Sequence, residues 1–180
     1  MIYSIDPGPE RSGTVTLDAW GVVIGWGESE NAALLPGFFE LSNQECVVIE
    51  DFTPYGQRLG HESIATIKWI GAFRLAAAQA GCVVKEIPRP DVKLHLCGIR
   101  TAKDADVRDA LIHRYGPGRE KAIGRRATPG PLFGISGHCW SALAVGVVAF
   151  DRMNGMEAMD VKPPLPARRT RKVTSKGIEQ

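Results

Sequence analysis

The sequence predicts an α/β domain: a mixed five-stranded sheet, its first three strands antiparallel, with helices on both faces. Three observations predict it. The N-terminal thirty residues hold three short apolar segments separated by Pro/Gly turns, the pattern of an antiparallel meander. The later run 46–49 is continuously apolar, as strands buried on both faces are, and 82–87 reads as another strand. Around them lie segments with apolar residues at helical spacing, and helices joining strands in this way are the crossovers of a partly parallel sheet.

Residues 2–6 form a strand that Asp6-Pro7-Gly8-Pro9 stops. Residues 14–19 alternate around Val15 and Leu17, Trp20-Gly21 turns the chain, and 22–26 form the third strand. Residues 31–44, interrupted by Pro36-Gly37, read as loop or broken helix, and the run 46–49 ends in Glu50-Asp51. Over 63–80, Ile64, Ile67, Ile70 and Phe73 recur at helical spacing, with Gly81 as a natural stop. Strand 82–87 is closed by Pro88 and Pro90. Residues 102–115 form an amphipathic helix with Val107, Ala110 and Leu111 on one face, and Gly116-Pro117-Gly118 ends it. Residues 117–131 read as an exposed loop, and a last helix opens at Ser136 or Gly137 and runs to about Met153. Its Ala, Leu, Val and Gly content suits packing on a sheet. The layout resembles the RNase H-like fold.

The 180 residues are expected to form one domain over 1–155 and a basic, disordered tail over 156–180. A hydrophobic fraction of 44% and a charged fraction of 23% are those of an ordinary globular protein. The longest apolar run, 142–150, is far below the roughly 20 residues of a membrane span. The first residues show neither a charged n-region nor an apolar h-region, so a cytoplasmic protein is expected. Cys46, Cys82, Cys97 and Cys139 include no C-x-x-C pair and read as buried reduced thiols rather than a zinc site. Charge is uneven. Six of the 22 basic and one of the 20 acidic residues fall in 161–180, so that stretch carries +5 and residues 1–160 carry −3. This asymmetry points to a polyanionic partner, the alternative being a solvated tail without a role.

In this layout Asp6 ends a central strand, and Glu50 ends the strand expected beside it. Two carboxylates at neighbouring strand ends can share hard cations such as Mg²⁺. Pro7-Gly8 would then let a phosphodiester backbone approach. Asp51 points to the opposite face from Glu50, and in a strand buried on both faces alternation does not choose between them. His138, at the start of the last helix, could complete a metal site, although a lone helical His is more often structural. Ser141 lies on the same helical face.

Ile5-Asp6-Pro7-Gly8, Val48-Ile49-Glu50, Lys103-Asp104-Ala105-Asp106 at a helix start, and His138-Cys139-Trp140-Ser141-Ala142-Leu143-Ala144-Val145 occur in that order. Together they resemble the RuvC-type Holliday-junction resolvases of the RNase H-like nuclease superfamily, over roughly residues 2–150. Val92-Lys93-Leu94-His95-Leu96-Cys97 and Pro129-Gly130-Pro131-Leu132-Phe133-Gly134-Ile135 resemble the phage-encoded branch. The resemblance implies Asp6 as the first metal-binding aspartate, Glu50 rather than Asp51 as the strand glutamate, and His138 as the first ligand of the last helix. Ser141 falls where many members place a fourth ligand, an aspartate. Asp151 does not replace it, being roughly 20 Å along the helix from His138.

The implied activity is structure-selective endonuclease cleavage of four-way DNA junctions by two-metal-ion phosphodiester hydrolysis. One ion orients the attacking water and the other stabilises the leaving 3′-oxygen. Mg²⁺ is the implied cofactor, two ions per site, and Mn²⁺ should also serve because imidazole suits it. Lys103 and Arg100 are the implied grips on junction phosphates, with Lys93, Arg125 and Arg126 as further basic candidates. Such contacts fix register rather than sequence, and for each residue a solvated surface is the alternative. Phe52 and Tyr55 follow the Glu50 strand, where the family can present an aromatic to a crossover base; burial is the other reading. The implied partners are branched DNA and a second copy of the chain in a C₂ homodimer. The helix 63–80 is the expected interface, through Ile64, Ile67, Trp69, Ile70 and Phe73. If the chain is phage-encoded, its place is the bacterial host cytoplasm. Alternatives are a nuclease for forks or flaps, a branched-DNA binder that lost a ligand at Ser141, and an actin-like phosphotransferase, whose duplicated domain needs a longer chain.

Overall fold

The computed structural model describes residues 1–41, 45–54, 56 and 58–156; Tyr55 and the expected tail beyond 156 lie outside the described residues. Three antiparallel strands, β1 (Ile2–Asp6), β2 (Arg11–Leu17) and β3 (Val23–Glu30), open the chain, with Asp6 opposite Gly13 and Arg11 opposite Glu30. A short helix α1 (Asn31–Leu34) and a 3-10 turn (Leu35–Glu40) lead to β4 (Cys46–Asp51), which runs parallel to β1. Helix α2 (His61–Gln79) crosses to β5 (Val83–Pro88), parallel to β4. The sheet order is β3-β2-β1-β4-β5. Helices α3 (Arg89–Cys97), α4 (Asp104–Tyr115) and α5 (Arg119–Ala122) follow, then a small hairpin of β6 (Gly124–Arg125) and β7 (Thr128–Pro129), and finally α6 (Cys139–Met153). The expected fold class is the observed one.

Local physics explains where the elements differ from expectation. Pro88 and Pro90 do not merely close a strand: the chain turns straight into α3. Proline fits the first turn of a helix because the N–H it lacks has no partner there. Gly98, at φ +74°, closes α3 in the left-handed conformation. The loop read over 117–131 contains α5 and the β6–β7 hairpin. Helix α6 begins at Cys139 rather than 136 or 137, because Gly137 sits at φ +51°, outside right-handed helix. Strand β3 continues past Trp26 to Glu30, and its charged outer residues suit an edge strand.

Two apolar layers sandwich the sheet. Helix α6 lies across β1, β2 and β4, and with α3 and α4 buries Val48, Ile87, Leu96, Leu111, Leu143 and Val147. A Cβ on Gly146 would stand 2.6 Å from Ser4 Oγ, so the glycine lets α6 settle onto β1. On the other face, α2 and the 3-10 turn cover Ile5, Val47 and Ile49 with Phe38, Ile70 and Phe73. Truncating a buried aromatic such as Phe73 to Ala costs about 3–5 kcal/mol. Ile70 and Phe73 are therefore core, not interface as expected from the sequence, whereas Ile64 and Ile67 are exposed.

The alternation resolves an ambiguity the sequence left. Cys46 and Val48 face α6 while Val47 and Ile49 face α2. Glu50 accordingly shares the α6 face, and Asp51 takes the other. Ile2 lies in the α6 layer and Ser4 against Gly146, so Asp6 is on that face too. Where α3, α4 and α6 meet, Asp151 accepts hydrogen bonds from both Arg114 terminal nitrogens (2.9 and 2.6 Å) and pairs with His95 Nε2 (2.8 Å). Asp151 is thus spent on joining three helices. All four cysteines are buried thiols. Among the described residues, no helix is long and apolar enough to cross a membrane.

Candidate active site

The site lies at the C-terminal edge of β1 and β4. Register pairs Ile5 with Ile49, so the next residues, Asp6 and Glu50, emerge side by side on one face of two parallel strands. The third group arrives from α6. His138 is the residue before that helix, and its Nδ1 lies 2.9 Å from Asp6 Oδ2. Gly13, opposite Asp6, makes this possible: a Cβ there would collide with the His138 backbone and lie 2.6 Å from Cys139 N. Gly8 has a different reason from the one the sequence suggested. Its Cβ would collide with the Arg11 carbonyl, so the tight β1–β2 connection itself requires a glycine there.

Electrostatics marks the site as short of positive charge. Glu50 is almost wholly buried. Burial first, and then the Asp6 charge, push its pKa up to about 7, against the pull of Arg89. His138 is also raised, chiefly by its hydrogen bond to Asp6, with burial opposing and Glu28 and Glu50 adding. Glu28 belongs to the extension of β3 that the sequence did not reveal, and pairs with Arg11 at 3.3 Å.

The residue that sequence reasoning missed is Arg89, the first of α3. Its Nη1 donates to Glu50 Oε1 at 2.6 Å and to Ser141 Oγ at 3.1 Å, and its Nη2 lies 2.9 Å from Asp104 Oδ1. Burial disfavours the guanidinium charge, but Glu50 and Asp104 more than offset this and hold its pKa above the ordinary value. The two partners of the ion pair are thus pushed in opposite senses, Arg89 toward charge and Glu50 toward neutrality. The load on Glu50 comes from burial and Asp6, not from Arg89. Only the Pro-x-Pro frame around Arg89, a helix-start signal, could have revealed it.

Asp6, Glu50 and Arg89 line an open cleft of about 900 Å³, together with Lys93 and Arg100. Of the basic candidates, Lys93 pairs with Asp104 at 3.3 Å and Arg100 with Asp91 at 2.6 Å. Lys103 is exposed at the α4 N-cap, its backbone N–H bonded to Asp106 Oδ2 at 2.7 Å. Arg125 and Arg126 are exposed on the β6–β7 hairpin and do not line the cleft. Phe52 lines the cleft and also packs against the α2 layer.

Two carboxylates and an imidazole are donors for a divalent cation of the Mg²⁺ or Mn²⁺ kind. The raised pKa of Glu50 shows where such an ion would relieve repulsion. Among the described residues, no three such side chains already converge as a preformed cage: Glu50 is turned to Arg89, and His138 to Asp6. Asp6, Glu50 and His138 supply the donor types that one such cation would take. Between Glu50 and Ser141 the Arg89 guanidinium is bonded to both.

The fold is of the RNase H-like class, a mixed five-stranded sheet in the order β3-β2-β1-β4-β5 with α6 packed across it. No family model and no curated protein matches the sequence. Among solved structures it is similar to RuvC of Thermus thermophilus, at 21% identity over 87% of this chain and 98% of that one, with a TM-score of 0.60. It is similar also to T. thermophilus RuvC in complex with Holliday junction substrate, at 19% identity over 87% and 97%, with a TM-score of 0.56. The chain therefore has the fold of RuvC.

Proposed function

We propose that this protein is a divalent-metal-dependent endonuclease that cuts four-way DNA junctions. The observation that carries the reading is the emergence of Asp6 and Glu50 on one face of adjacent parallel strands, with His138 against Asp6 and a cleft of about 900 Å³ in front. The likeness to a RuvC solved with a junction substrate supports branched DNA as the partner. Segments 92–97 and 129–135 carry the phage-branch part of the resemblance.

In this reading Asp6, Glu50 and His138 would hold the divalent ion, which would supply Lewis-acid polarisation of the scissile phosphate and a water of lowered pKa. Water oxygen joins phosphorus as the bond to the 3′-oxygen breaks, leaving a 5′-phosphate and a 3′-hydroxyl. Lys93 and Arg100, which line the cleft, hold neighbouring phosphates, and Lys103, exposed at the start of α4, extends the track. Arg125 and Arg126, on their separate hairpin, reach a different part of a DNA arm. Paired cuts in a symmetric junction need two sites, which a C₂ homodimer supplies, with exposed Ile64 and Ile67 of α2 as its contact.

The test is cleavage of a synthetic four-way junction with Mg²⁺ or Mn²⁺, mapped on all four strands, beside a fork, a flap and a linear duplex. Symmetric cuts in the junction support the reading. Preferential cutting of the fork or flap replaces it with a broader branched-DNA nuclease, and binding without cutting sinks the enzymatic reading.

A further inference from the structure

The sequence led to an expectation of two ions per site, and Arg89 stands where the second would go. Its guanidinium is bonded to Glu50 Oε1 and Ser141 Oγ, two oxygens that a second ion placed between these residues would use. The surroundings oppose a second divalent ion as well. Behind Arg89 a small cavity of about 40 Å³ is bordered by Lys93, Arg108 and Trp140, with Glu50 and Asp104 as its two carboxylates. Arg108 lies over the Trp140 ring at 4.4 Å, and its Nε and the indole N–H of Trp140 are buried donors without acceptors. Its two carboxylates are already paired to Arg89 and Lys93, and the third cation and the orphan N–H groups leave no free acceptor there for a further metal ion. Meanwhile Arg89 is anchored from behind by Asp104 and remains 38% exposed toward the cleft that Asp6 and Glu50 also line. A planar guanidinium with donors to spare suits a phosphate oxygen.

We propose that Arg89 is a resident cation of this site: it takes the place of the second metal beside Glu50 and Ser141, meets the scissile phosphate there, and leaves room for one divalent ion per protomer. The proposal rests on the reading of Asp6, Glu50 and His138 as ligands. It also explains the hydroxyl at Ser141: an aspartate there would be drawn into an ion pair with Arg89 rather than to a metal, whereas a serine accepts one hydrogen bond and adds no charge.

The test counts Mn²⁺ on the full chain without DNA, by electron paramagnetic resonance of free ion and by calorimetry. Wild type is expected to take one Mn²⁺ per protomer, Ser141→Asp alone one, and the double variant Arg89→Met/Ser141→Asp two. Two comparable sites in wild type would overturn the proposal, as would a double variant that still takes one. No Mn²⁺ on wild type would overturn it together with the ligand assignment, whereas one Mn²⁺ on a protein that cuts no junction would leave it standing and sink only the substrate. The wild-type count needs no variant to fold. In cleavage, Arg89→Met should lose about 10²-fold, the cost of removing one charge-stabilising donor. Arg89→Lys should recover part of this while keeping the count at one. Equal loss in both variants with unchanged thermal stability would show that the fork geometry, not the charge, is what acts.

Discussion

Two clusters in this molecule are made of the same kinds of side chain and behave differently. One is Asp151, His95 and Arg114, at the junction of α3, α4 and α6; the other is Asp6 with Glu50, His138 and Arg89, at the end of the sheet. In the first, a single carboxylate, 1% exposed, receives both nitrogens of a guanidinium and an imidazole. Its charge is matched, and the group closes on itself. In the second, two carboxylates repel each other across one guanidinium and one imidazole, the pKa of Glu50 is driven to about 7, and the group opens onto a cleft. Residue type alone does not separate structure from chemistry. The balance of charge and the access of solvent do.

The comparison breaks most directly at the carboxylates. Asp6→Asn and Glu50→Gln keep shape and remove charge, so each should lower junction cleavage by on the order of 10³-fold while binding in a gel-shift assay persists. Wild-type cutting by either variant would remove that residue from the site. The matched cluster should respond in the opposite currency. Asp151→Asn leaves Arg114 without its partner and should cost about 3 kcal/mol, the lower end for a broken buried pair because Arg114 still reaches water. Thermal unfolding should show it as a fall in Tm of roughly 2–4 °C per kcal/mol. Cleavage per folded molecule should hold.

The two histidines sharpen the contrast. His138→Ala should cut activity by about 10²-fold with little change in Tm. His95→Ala should do the reverse, and matching kinetic losses in both would erase the distinction. A pH series gives a smaller effect. Glu50 holds its proton more tightly folded, at about 7, than unfolded, near 4.5, so its own contribution to metal-free stability is full below pH 4.5 and declines as pH rises to about 7. His138, raised above 6.5, contributes stability present below that pH and lost as pH passes its folded value. Both groups push the same way. With chelator present, Glu50→Gln should therefore unfold a few degrees higher than wild type at pH 8 and at nearly the same temperature at pH 4.5. A constant difference across that range would show that Glu50 is not strained by burial. The smallest effect is expected from the tail, which lies outside the described residues. Deleting 161–180 removes six basic side chains and should flatten the salt dependence of binding to junction and duplex alike without moving the cut positions.

Much of the architecture was legible because its signals are local. Val15 and Leu17 alternate, Val47 to Ile49 run apolar, and α6 carries Ala, Leu, Val and Gly at the density a sheet-covering helix needs. Asp6 and Glu50 were legible as strand ends. The choice of Glu50 over Asp51 was not available from alternation, because a strand buried on both faces shows no polar side; it needed the partners of Val48 and Ile49. Arg89 was hidden by its neighbours. Two prolines read as punctuation, yet they frame a helix start that aims a guanidinium back at the β4 terminus. Ile70 and Phe73 looked like surplus apolar residues on α2 because the sequence does not show that a 3-10 turn brings Phe38 against Phe73.

Gly13 has no functional group, and yet the spacing of the site depends on the atoms it lacks. Adding one methyl would force the start of α6 away from β2 and draw the His138 ring off Asp6. A displacement of about 1 Å in a reacting constellation can cost on the order of 10²-fold in rate. If His138 is a ligand as proposed, Gly13→Ala would resemble its loss in an assay while the side chain remained present. A screen for inactive variants should recover this position beside the acidic ones, and a catalogue of reactive side chains would pass over it. Part of what this chain inherits as chemistry is an empty volume, and its heritable form is a single codon for the smallest residue.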